Sequence, residues 1–191
     1  HAQPVRRPCR EKVGLMAERT TIVIFGATGD LAQRKLLPSL FELKCKGRLP
    51  EGTHIVAFAR SDFPVEEFCD RLWKGVQELG GMSLRHDQWD DFTSALSYVR
   101  GDVTVPEDMS RLRETLKSVE AGFERADRLF YLSIAPQLYQ PAVEQLGASG
   151  LAAEETGWRR VVIEKPFGWD LASARALNRR VNDVFSEDQV Y

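Results

Sequence analysis

The sequence predicts an α/β fold, a doubly wound Rossmann-type and mostly parallel sheet with helices on both faces. Three observations predict it. Short apolar runs such as "TIVIF", "HIVAFA" and "RVVI" are nearly continuous rather than alternating, as strands buried on both faces are. Stretches of helical period separate them. The first run ends at a glycine that leads straight into a helix, the strand-turn-helix context of a dinucleotide fingerprint.

The elements follow in order. "TTIVIFGATGDLA" reads as strand and turn, and "QRKLLPSLFELKCKG" as a helix with apolar residues at 36, 37, 40, 41 and 43. Pro38 falls inside that pattern, where a missing N–H predicts a kink or a loosened first turn. "HIVAFAR" is a second strand, followed by a helix over about Pro64 to Leu79 and a Gly80–Gly81 break. A short polar helix leads into a third strand at Leu96–Arg100, and Pro106 opens a helix to about Val119. "DRLFYLSI" is the fourth strand, Pro136 starts a helix with Leu138, Ala142, Val143 and Leu146 on one face, and "RRVVIE" is the fifth strand. A last helix carries apolar residues at 171, 174, 177, 181 and 184, a 3.6-residue period.

Composition bounds the function. With 191 residues, 43% of them hydrophobic, the chain suits one domain with a real core. Lys and Arg (26) nearly balance Asp and Glu (28), so no basic footprint for nucleic acid is present. No apolar run reaches the roughly 18 to 20 residues that span a bilayer, so no membrane partner is expected. Cys9, Cys45 and Cys69 have neither disulfide-framework nor metal-ligand spacing and read as thiols of a reducing, cytoplasmic setting. His1, His54 and His86 form no ligand motif, and no metal is predicted. The expected division is a disordered leader over 1–19, with Met16 a candidate start, and a dinucleotide-binding domain over 20–191. The final "FSEDQVY" carries an apolar pair with no evident place to pack and reads as an interruption of a longer chain.

In the first turn, Gly26 permits the tight bend, Gly29 a close approach of pyrophosphate to the backbone, and Ala32 close helix packing. The spacing is G-x-x-G-x-x-A rather than the commoner G-x-G-x-x-G. The second strand ends in Arg60-Ser61 where an NAD site places an acid, and a guanidinium beside a hydroxyl suits the 2′-phosphate of NADP. Two alternatives stand beside this: Arg60 as a solvated strand end, and Asp62 as a ribose acceptor serving NAD. Glu164-Lys165-Pro166, closing the fifth strand, reads either as a charged strand end entering solvent or as a ligand pair at the sheet's carboxyl edge. There is no P-loop, no G-x-S-x-G elbow and no Tyr-x-x-x-Lys pair.

Together, "FGATGDLAQRKLLPSL", "AFARS", "LFYLSIAP" and "IEKPFG", in this order and spacing, make residues 20–191 resemble the amino-terminal coenzyme-binding domain of the glucose-6-phosphate dehydrogenase family. The resemblance implies an oxidoreductase of the pentose phosphate pathway that converts glucose 6-phosphate to a lactone with NADP as hydride acceptor. It implies that Gly26, Thr28, Gly29, Asp30 and Leu31 line the pyrophosphate turn, and that Arg60 and Ser61 hold the 2′-phosphate. Ile134, Pro136 and Tyr139 would lie beneath the nicotinamide and Glu164 near its ribose and carboxamide. Lys165 would contact coenzyme and glucose 6-phosphate, and Lys35 would lie near the substrate end. Thr28 replaces the family's commoner Ser, and Ala135 replaces the first residue of its Pro-Pro pair. The family's catalytic His belongs to a later segment of its larger second domain, through which it also forms homo-oligomers, so this chain is expected to lack the general base and to be inactive alone. The resemblance further implies a cis Lys165–Pro166 bond. Rival readings are a glucose–fructose oxidoreductase or inositol-dehydrogenase-like enzyme, disfavoured by Lys35 and Pro38 after Gly29-Asp30-Leu31, and a non-catalytic dinucleotide-binding module.

Overall fold

The computed structural model describes residues 18–78 and 86–191. Leader residues 1–17, Cys9, His1, Met16 and the Gly80–Gly81 break lie outside them. Five strands, β1 (Glu18–Phe25), β2 (His54–Ala59), β3 (Leu96–Arg100), β4 (Arg125–Leu132) and β5 (Arg159–Ile163), form one sheet in the order β3-β2-β1-β4-β5. Every pairing is parallel. The chain winds outward from β1 in one direction through β2 and β3, then returns to the other side of β1 for β4 and β5. The carboxyl edge between β1 and β4 is therefore the topological switch point, where open α/β sheets bind their ligands.

Alternation along β1 supplies both cores. Ile22 and Ile24 face helices α1 (Leu37–Cys45), α2 (Val65–Glu78) and α3 (His86–Ser94), where Phe41, Phe68, Leu72 and Phe92 are buried. Val23 and Phe25 face α4 (Pro106–Val119), α5 (Tyr139–Ala148) and α6 (Leu171–Val184), with Leu112, Leu116, Val143, Leu146 and Val181. All six residues of β2 are buried, as its unbroken apolar run requires. The two layers of helices on a twisted parallel sheet are the doubly wound class that the strand pattern predicts.

Three details depart from the sequence reading, and a fourth, at Pro38, gives its expectation a form. β1 starts at Glu18, inside the predicted 1–19 leader, because the first two residues are tied down: Glu18 pairs with Arg125, and Arg19 donates to the Val119 carbonyl (2.7 Å) while its guanidinium lies 4.2 Å from the Phe123 ring centre. The loosened first turn expected at Pro38 is present: the chain enters α1 through a π turn over Ala32–Leu36, in which the Leu37 N–H reaches Ala32 O. The wider turn relieves the i−4 carbonyl that a proline ring would strike and that finds no N–H there. Leu171, counted on the apolar face of α6, is 66% exposed, and only Leu177 and Val181 of that helix are fully buried. Finally, one of the terminal apolar pair finds a place: Val190 packs against the core, while Tyr191 stays 62% exposed. Val190 bridges Val161 in parallel, Tyr191 N–H donates to Val161 O and Ile163 N–H to Tyr191 O, both at 2.9 Å, so these residues begin a sixth position beside β5.

The amino edge of the sheet carries buried polar groups. His54, the first residue of β2, is 8% exposed and shares a 2.9 Å hydrogen bond with Ser97. Burial first, and then the Arg19 charge, hold its imidazole neutral, with a pKa lowered to about 4. An unfolded chain binds a proton on this ring near pH 6.5 while the folded one does not, so stability rises with pH across that interval. We expect thermal unfolding to show stability lost as pH falls from about 6.5 towards 4, by up to about 3 kcal/mol, and His54→Gln to flatten that slope. Melts of both proteins across this range check it.

Candidate functional site

The site grows from Gly26. β1 must end against β2 and β4 at once, and Gly26 N–H and Ala27 N–H both donate to Phe58 O, at 2.9 and 3.2 Å. On its other side Gly26 meets the first residue after β4: a Cβ added there would stand 2.1 Å from the Ser133 carbonyl oxygen, and its φ of +75° is a conformation side chains avoid. The turn closes with Gly29 N–H to Gly26 O (2.8 Å), and Gln33 N–H then bonds to Gly29 O (3.0 Å). The amides of residues 30–32 precede that first helical hydrogen bond and face the turn's mouth, an arrangement suited to an anion. The Gln33 side chain fastens the turn from behind, donating to Ala27 O at 2.7 Å. Ala32 is fully buried.

Two clefts flank this turn. One, of about 580 Å³, is lined by Gly26, Thr28, Gly29, Arg60, Ser61, Gly101, Asp102, Val103 and the Ser133-Ile134-Ala135 loop. The other, of about 280 Å³, is lined by Gly29, Asp30, Leu31, Ile134, Pro136, Tyr139, Glu164 and Lys165. Gly29 and Ile134 belong to both, so the clefts meet over the turn. Lys35, Ala32 and Asp62 line neither; Lys35 is exposed on the π turn.

In the larger cleft, Ser61 donates to Thr28 Oγ1 (3.4 Å), and Tyr98 Oη donates to Ser61 O (2.8 Å), fixing the chain just after β2. The Arg60 side chain is 78% exposed, with Asp102 its nearest acid at 4.0 Å. Asp102 is held below the usual carboxylate range by the Thr104 backbone N–H and hydroxyl, which donate to it at 2.9 and 2.7 Å, and to a smaller degree by Arg60. Asp62, the alternative ribose acceptor, is engaged by Arg100 at 2.8 Å.

In the smaller cleft, Glu164 accepts a hydrogen bond from Tyr131 Oη. Burial, then this hydrogen bond, push the Tyr131 phenol up to about 12. Tyr139, 1% exposed, is raised too, by burial and the Glu164 charge. Lys165 is exposed, and the Lys165–Pro166 bond is cis. The Pro166-Phe167-Gly168 turn runs into α6 through a capping box: Asp170 accepts from Ser173 N–H (2.7 Å), and Ser173 Oγ accepts from Asp170 N–H (3.0 Å). His54 sits at the opposite end of β2 from both clefts. No three metal-ligating side chains gather among the described residues, and no described helix is long and apolar enough to cross a membrane.

Residues 23–191 match the family model described as "Glucose-6-phosphate dehydrogenase, NAD binding domain". The chain belongs to that family. Glucose-6-phosphate 1-dehydrogenase 2 of Mycobacterium bovis is 40% identical over 194 aligned positions, covering 97% of this chain and 37% of that protein. Glucose-6-phosphate 1-dehydrogenase of Bacillus subtilis is 38% identical, covering 91% and 34%. A solved glucose-6-phosphate dehydrogenase in complex with its substrate glucose-6-phosphate superposes with a TM-score of 0.82 at 32% identity, over 92% of this chain and 36% of that one. The chain thus spans about a third of the length of its relatives. Membership in the glucose-6-phosphate dehydrogenase family sets aside the glucose–fructose oxidoreductase reading.

The site also contains residues that sequence reasoning passed over: Gln33, Tyr98, Asp102 and Tyr131. Gly101-Asp102 stands at the carboxyl end of β3, and the rule that ligands gather at that edge pointed to it. Gln33 and Tyr131 needed three-dimensional register. From the Gly26 geometry we expect Gly26→Ala to lower stability by at least about 2 kcal/mol, since both the clash and the positive φ oppose it. Gly29→Ala, whose Cβ would stand 3.1 Å from Gly26 O, should cost clearly less. Comparative denaturant melts of the two variants decide it.

Proposed function

We propose that this chain is the NADP-binding part of a glucose-6-phosphate dehydrogenase, with the dinucleotide laid across the glycine turn and its two ends in the two clefts. The observation that carries the reading is the arrangement itself: two clefts joined over one turn at the switch point, with Arg60 at the far side of one and Glu164-Lys165 at the far side of the other. The adenosine half fits the 580 Å³ cleft, where Gly101 to Val103 form the outer wall. The pyrophosphate falls over Gly26, Thr28 and Gly29, before the amides of Asp30 and Leu31. The nicotinamide end reaches the smaller cleft, above Ile134 and Pro136 and beside Tyr139.

Arg60 and Ser61 are the residues proposed to read the 2′-phosphate. An exposed guanidinium with only a 4.0 Å carboxylate neighbour can turn to an entering dianion at little cost. Asp62, which an NAD site would use, is already paired with Arg100, and that favours NADP over NAD. At the other end, Glu164 supplies an acceptor for the carboxamide and ribose, and Lys165 presents an ammonium group to the substrate's phosphate. Lys35, exposed on the π turn outside both cleft linings, is proposed to stand near the substrate end of the site. When bound, the nicotinamide supplies the acceptor for hydride leaving C1 of the sugar as it becomes a lactone. The base for the C1 hydroxyl is proposed, on the family resemblance, to lie outside these 191 residues. Cys45 and Cys69, free thiols raised above their ordinary range by burial, accord with a cytoplasmic setting. Oligomerisation is assigned to the remainder of the full-length enzyme.

Two measurements test this. Arg60→Ala should raise the Kd for NADP by about tenfold or more, as loss of a charge-assisted contact does, while the Kd for NAD stays put; an unchanged ratio of the two constants overturns the assignment. Mixed with glucose 6-phosphate and NADP, the purified chain should form no measurable NADPH.

A further inference from the structure

Glu164 lines the smaller cleft, yet its carboxylate is not left to solvent alone. β4 and β5 pair in parallel with Tyr131 beside Val162, and Phe130 and Leu132 pointing into the core under α4, α5 and α6. Alternation therefore sends Tyr131 to the opposite face, the face of Val162 and of Glu164 two residues on. Tyr131 and Glu164 become diagonal cross-strand neighbours at the carboxyl edge, close enough for the phenol to reach the acid. The phenol donates to Oε1, and both side chains are half-buried.

We infer that Tyr131 is a positioning residue for the coenzyme's nicotinamide end: its hydroxyl pins one Glu164 oxygen and turns the second towards a carboxamide N–H in the cleft. This rests on the reading of the smaller cleft as the nicotinamide site. A glutamate carries three rotatable side-chain bonds, and a carboxylate that must be ordered on ligand entry gives up part of the binding free energy to that ordering. Held in advance by a charge-assisted hydrogen bond, it loses less. The phenol stays a donor throughout the physiological range because burial and the neighbouring acid keep it protonated to about pH 12. Tyr131 touches neither reacting carbon nor sugar; it acts through Glu164.

Binding of NADP and of adenosine 2′,5′-bisphosphate to the whole 191-residue chain, by titration calorimetry, tests the inference. The bisphosphate occupies the Arg60 side and has no nicotinamide. Tyr131→Phe, which removes one oxygen and keeps the ring, should weaken NADP by about threefold to tenfold and leave the bisphosphate unchanged. In a Glu164→Gln background the same substitution should add little, because the group it positions has already been altered. Equal weakening of both compounds means a structural role and overturns the inference. So does full additivity of the two substitutions, or unchanged NADP affinity in Tyr131→Phe where Glu164→Gln weakens it. A wild-type chain that binds the bisphosphate and NADP equally well, with Glu164→Gln neutral, overturns instead the placement of the nicotinamide, and the inference with it.

Discussion

Everything at the carboxyl edge depends on one backbone-to-backbone approach, Gly26 against the carbonyl of Ser133. A parallel sheet whose strand order reverses at β1 must bring the ends of β1 and β4 together while their following segments depart to opposite faces. No side chain fits between them. Because Gly26 is bare, the turn can lie flat on Phe58 O on one side and Ser133 O on the other, so the two clefts open on either side of it. A bulkier residue would push β4 away, and with it the Ile134 and Pro136 loop and the Tyr131 that reaches Glu164.

The two ends of the site are built on different physical terms. At Arg60 the charge is exposed and loosely paired, suited to an anion that arrives with its own hydration to lose. At Glu164 the charge is half-buried and held by a phenol, suited to an uncharged amide whose recognition depends on direction. The turn between them offers backbone amides with the Thr28 hydroxyl beside them. An elongated ligand with a charged end, a polar middle and a directional neutral end matches that succession better than any globular one.

Much of this was legible in the sequence. Continuous apolar strands and the helices between them yield the doubly wound class because burial on both faces leaves no alternative pattern. The linings of the two clefts were legible as well, since the carboxyl ends of strands gather at one edge in such folds: Arg60 after β2, Ile134 and Pro136 after β4, Glu164 and Lys165 after β5. What stayed hidden depends on register and on local backbone geometry. Tyr131 reads as a core aromatic until its pairing with Val162 is known. Pro38 announces a disturbance without saying that a π turn absorbs it.

The short parallel run beside β5 bears on how the molecule behaves in a crowd. An open sheet offers two rows of unmatched amides and carbonyls, each a template for a strand from another molecule. Beside β5, Val161 O and Ile163 N–H are already matched by Tyr191, and Gln189 reaches Arg159 O with its side-chain amide at 2.9 Å. The opposite edge, β3, is only five residues long and ends in Arg100, a charge that discourages stacking. Strand addition by another molecule therefore meets fewer unmatched groups beside β5 and a short, charge-ended strand at β3.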